Sequence, residues 1–122
     1  MPPSSALQWL YLPPIESADV IHRCDDGNIR IECYVNLKSA GVIAYRYMVG
    51  VYPSSSKMPL LLITSETSPL LELSDPGMFA LGIFSPEGHC TVGIAPEYGH
   101  WNIFLGKAVE IIDTFLTENN SL

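Results

Sequence analysis

Positive charge is what this chain has least of. Six Lys and Arg stand against thirteen Asp and Glu in 122 residues, and beyond residue 65 the only base is Lys107, facing eight acids. The first 65 residues balance, with Glu16, Asp19, Asp25, Asp26 and Glu32 against Arg23, Arg30, Lys38, Arg46 and Lys57, so the net charge of −7 belongs to the remainder. A one-signed surface repels like-charged ligands and attracts opposite ones over about a Debye length, ~8–10 Å. Nucleic acid is therefore not an expected partner, whereas a protein with a basic surface is.

Long apolar runs are also missing. The longest aliphatic run is Leu60-Leu61-Leu62-Ile63, far short of the roughly 20 apolar residues that cross a bilayer as a helix. No Lys or Arg precedes the apolar stretch Leu7-Gln8-Trp9-Leu10-Tyr11-Leu12, as it would in a secretory leader. A cytoplasmic protein without membrane contact is expected. Cysteine is limited to Cys24, Cys33 and Cys90, an odd count at no framework spacing, which points to free, buried thiols rather than a disulfide scaffold.

Catalytic and cofactor motifs are absent as well. Gly-x-Ser-x-Gly, His-Glu-x-x-His and an acidic calcium loop do not occur. Gly99 to Gly106-Lys107 departs from a phosphate loop, with six residues between the glycines instead of four and Ala108 where Ser or Thr is needed. No cofactor and no metal is expected.

What is present is apolar content, 48% against 16% charged residues, enough for one self-sufficient domain over residues 1–122. A Pro-rich arm covers residues 1–17, and its hydrophobic stretch can add a strand to an edge of its own sheet or of a neighbour's. Residues 18–95 read as an antiparallel sheet. Residues 20–24 and 29–35 form a hairpin around Asp26-Gly27, and the second segment alternates, with Ile29, Ile31, Cys33 and Val35 on a core face and Arg30, Glu32, Tyr34 and Asn36 on a wet one. Residues 42–52 make a long central strand with Ile43, Tyr45, Tyr47, Val49 and Val51 on one side. Residues 60–64 form a short strand, and Ser68-Pro69-Leu70-Leu71-Glu72-Leu73 is either a capped helical turn or extended. A second hairpin joins residues 78–84 and 90–95 across Ser85-Pro86-Glu87-Gly88, placing Cys90, Val92 and Ile94 in the core.

Residues 101–118 carry the clearest periodicity. Phe104, Leu105, Ala108, Val109, Ile111, Ile112, Phe115 and Leu116 share one arc, opposite Lys107, Glu110, Asp113, Thr114, Thr117 and Glu118, the stripe of a helix lying on a sheet. The fold class is α+β: a curved antiparallel sheet of about six strands with one C-terminal amphipathic helix packed across one face. Cystatin-like, hot-dog-like and secretion-chaperone-like architectures share that gross form.

Two candidate sites compete. Glu110, Asp113 and Glu118 crowd the C-terminal half of the helix, where the macrodipole prefers cations, and form the candidate surface of a non-enzymatic interaction or chaperone-like adaptor, expected as a homodimer with a basic partner. The alternative is a small-molecule-binding or enzymatic domain whose pocket, between the sheet and the helix start, is lined by Tyr98, His100, Trp101, Tyr45 and Tyr47. His22, Cys24 and Cys33 share a face, but it is also the face of Val20, Ile29 and Ile31, so they read as core and not as a zinc site. His89 and Cys90 are adjacent on a strand and point apart, which argues against a nucleophile pair. The acids can also serve solubility alone.

Overall fold

A computed structural model describes residues 12–120. It is an α+β domain in which six antiparallel strands follow one another in space as they do in sequence: β1 (Ile15–Asp26), β2 (Ile29–Ser39), β3 (Ala44–Pro53), β4 (Leu61–Thr67), β5 (Phe79–Ser85) and β6 (Gly88–Ala95). A short helix, α1 (Pro69–Ser74), links β4 to β5, and a 3₁₀ turn at Pro96–Gly99 leads into the long C-terminal helix α2 (Trp101–Asn120). Among the described residues, no helix is long and apolar enough to cross a membrane.

The first hairpin turns on Gly27-Asn28, not on Asp26-Gly27. Asp26 pairs with Ile29, and Gly27 has φ +65°, the left-handed value that the first central residue of a II′ turn requires and glycine supplies without strain. The shift preserves the two-residue parity, so Cys24 lies opposite Ile31 and His22 opposite Cys33. Strand pairing in β1 already begins at Ile15, inside the expected arm, while residues 7–11 of that arm lie outside the described residues.

Alternation puts Val49 and Val51 of β3, Leu61 and Ile63 of β4, and Leu81 of β5 on one face with Cys33, where Phe104, Ala108 and Ile112 of α2 seal them. The opposite face carries a second cluster of Tyr45, Met48, Leu62 and Phe84. Tyr45 was expected beside Tyr47, but the register slips between them, and an irregularity of this kind turns a side chain to the other face. α1 is the helical option for its segment: Ser68 Oγ accepts from the Leu71 N–H at 3.2 Å, with Pro69 in the first turn.

Three further expectations fail on burial. Cys24 and Cys90 are exposed, and of the three free cysteines only Cys33 is buried. β6 is an edge strand among the described residues, and its Val92 and Ile94 are 53% and 52% exposed: the pairing with β5 slips at Val92, so Cys90 shares the face of Ile83 while Ile94, opposite Ala80, turns to the other face. The second face of β2 is not wet either, since Arg30 and Glu32 are largely shielded and ion-paired at 2.8 Å.

Candidate functional site

A hollow opens on each flank of α2 where it lies on the sheet. Towards β4 and β5, a groove of about 550 Å³ has Leu61, Ile83, Ile111 and Phe115 as its apolar floor and Glu87, Glu110 and Glu118 as acidic walls. Glu87 comes from the β5–β6 turn; Glu110 and Glu118 stand eight residues apart on α2, about 80° apart around it at ~100° per residue. The Lys107 ammonium lies 3.8 Å from Glu110, an exposed contact that neutralises little. Asp113 belongs elsewhere: it lines the hollow on the opposite flank, with His22, Cys24, Cys33 and Val109. The three helix acids thus divide between two sites.

The residues expected to line a pocket at the helix start are partly united, but as packing. Tyr47 meets the Trp101 ring edge-on at 5.1 Å and the Phe104 ring at 5.6 Å. The Tyr98 carbonyl accepts from Ser65 Oγ at 2.6 Å, and the Arg46 Nε–H donates to the Gly99 carbonyl at 2.8 Å. These bonds fasten the 3₁₀ turn to β3 and β4, so Tyr98, Tyr47 and Trp101 close the end of the core. His100 is exposed at the entrance to α2, and Tyr45 packs against Phe84 on the other face of the sheet.

Two polar groups on that other face escaped the sequence reading. In the first, Tyr34 OH donates to Glu32 Oε1 and shares a hydrogen bond with Tyr52 OH, both at 2.6 Å. Arg30 donates to Glu32 at 2.8 Å and lies over the Tyr52 ring, 4.6 Å from its centroid. Burial pushes the Glu32 carboxyl up, but hydrogen bonds from Tyr34 and Arg30 and the charges of Arg30 and Arg23 outweigh it and hold the group below its ordinary value. Burial raises both phenols, Tyr34 further through its bond to Glu32.

In the second group, buried Glu66 accepts from Thr64 Oγ1 and lies 3.2 Å from His89 Nε2, and the His89 ring stacks on Phe84 at 4.1 Å. Gly82 makes the room: a Cβ there would run into the Glu66 carboxylate and stand 2.8 Å from Thr64 Oγ1. The alternation of Thr64 and Glu66 along β4 was the available signal, hidden because a carboxylate in a strand reads as solvent-facing. His89 and Cys90 do diverge, His89 pairing with Phe84 and Cys90 with Ile83. Among the described residues no three His, Cys, Asp or Glu side chains are gathered as a metal would need.

No family model, curated protein or solved structure matches the chain, and its own geometry is what any functional reading rests on.

Proposed function

We propose that the protein is a non-enzymatic interaction module, adaptor- or chaperone-like, that holds a basic partner protein in the groove between α2 and the β5–β6 hairpin. The observation that carries the reading is the composition of that groove: an apolar floor of Leu61, Ile83, Ile111 and Phe115 beneath the carboxylates of Glu87, Glu110 and Glu118. An apolar side chain flanked by Lys or Arg satisfies both parts at once. Cations also suit the C-terminal half of α2, where its peptide dipoles place partial negative charge and no basic residue occupies the last turn.

Self-association fits the far edge of the sheet. Among the described residues β6 has one strand neighbour, and its residues 90–95 carry no charge or proline, the devices that ordinarily protect an edge. A cytoplasmic setting accords with three free cysteines.

Affinity capture from the native source tests the reading. Wild-type protein should retain a basic partner that the triple variant Glu87→Gln, Glu110→Gln, Glu118→Gln does not, while Asp113→Asn retains it. Equal capture by the triple variant would overturn the assignment.

A further inference from the structure

The hollow on the other flank of α2 has a different construction. It encloses about 300 Å³ between α2 and strands β1 to β3, at the lower end of the ~300–1,000 Å³ of small-molecule sites. Its floor is apolar and buried, formed by Cys33, Val49, Ala108 and Ile112. Burial, with Cys24 nearby, pushes the Cys33 thiol up, so the floor carries no thiolate at neutral pH.

The mouth has the opposite character. Asp26, at the end of β1, and Asp113, on α2, are both exposed and both line it, as do the exposed His22 and Cys24 of β1, and no Lys or Arg does. The nearest base in sequence, Arg23, turns to the other face and pairs with Glu32 at 3.3 Å. Polarity thus runs from two carboxylates at the opening to aliphatic side chains within, and a ligand complementary to that gradient has a cationic head and an apolar tail.

We infer that this cavity binds a small amphiphilic cation, an amine or quaternary ammonium on a short aliphatic chain, with its head between Asp26 and Asp113 and its tail on the Cys33–Ala108–Ile112 floor. The site is independent of the acidic groove, which lies on the far side of α2. Its selectivity comes from the head, since the floor is indifferent to charge, and its capacity from the gap between helix and hairpin.

Decyltrimethylammonium and decyl sulfate, titrated below their micelle concentrations into ¹⁵N-labelled full-length protein, test the inference. The cation should give saturable amide shifts at Cys33, Ala108 and Leu116 and bind at least about five-fold more tightly than the sulfate at low salt, the scale of an ion pair near a surface. Asp26→Asn with Asp113→Asn should erase that preference while the tail still binds. Val109→Trp, at a half-exposed position on the lining, should block both ligands. Equal affinity for the two heads in the wild type, shifts that map outside the cavity, or no saturable binding of the cation would each overturn the inference. The Asn pair alters only exposed positions and remains decisive if the Trp variant fails to fold.

Discussion

Glu32 collects Tyr34, Arg30 and Arg23 around one largely shielded carboxylate, and the balance of those contacts has a sign that can be measured. Its folded-state value lies below the ordinary 4.5. Its contribution to stability is therefore complete above that pH and lost as the pH falls through the lower folded-state value. Between about pH 6 and pH 3, urea unfolding should show the wild type losing more stability than Glu32→Gln; parallel losses would refute this role. The phenols act at the other end. Tyr34 and Tyr52 resist ionisation in the folded state, so stability held below about pH 10 is lost as the pH rises beyond it, and Tyr34→Phe should blunt that alkaline loss. Gly82 is the tightest of these positions. Gly82→Ala thrusts a methyl group at Glu66 and Thr64 and should cost about 1–3 kcal/mol, read as a lower denaturation midpoint at unchanged slope.

Among the elements, α2, both hairpins and the core alternation of β2 were legible in the sequence because each is written in a local period or turn. Phe104, Ala108 and Ile112 fall every fourth residue and are the side chains that meet the sheet. What was not legible depends on register and coverage. Nothing local marks the slip that sends Tyr45 away from Tyr47, and nothing in residues 90–95 marks the slip at Val92 that parts Ile94 from Cys90. Asn36 is a similar case, an asparagine at φ 54° within β2 whose side-chain amide donates to Asp19 at 2.9 Å. Asparagine tolerates that conformation and β-branched residues do not. Asn36→Val should destabilise the β1–β2 pair by about 1–3 kcal/mol, whereas Asn36→Gly should lose little beyond the hydrogen bond. Amide exchange in β1 would report the difference. The proposed edge pairing makes its own prediction: Val92→Lys should lower self-association in sedimentation velocity and leave the thermal midpoint unchanged at dilutions where both chains are monomeric, because a charge on an edge strand opposes pairing.

At the scale of the whole molecule, the uneven charge resolves into places. Glu87, Glu110 and Glu118 converge from a turn and a helix on one groove, Asp113 joins Asp26 across another, and Glu66 is buried beside the partly exposed His89. The sequence could reveal the acidic helix but not its division, which depends on the angle at which α2 sits on the sheet. A basic partner should be drawn to the groove at long range and held by its apolar floor, so binding should weaken as salt rises without vanishing. The most direct measurement is an amide-shift titration with a short peptide of alternating Lys and Leu, at low and at moderate salt. Saturable shifts at Leu61, Ile83, Thr114 and Phe115, weaker at the higher salt and lost in the triple Gln variant, are the predicted result. Shifts that leave these residues unmoved, or that persist unchanged in the variant, would contradict it.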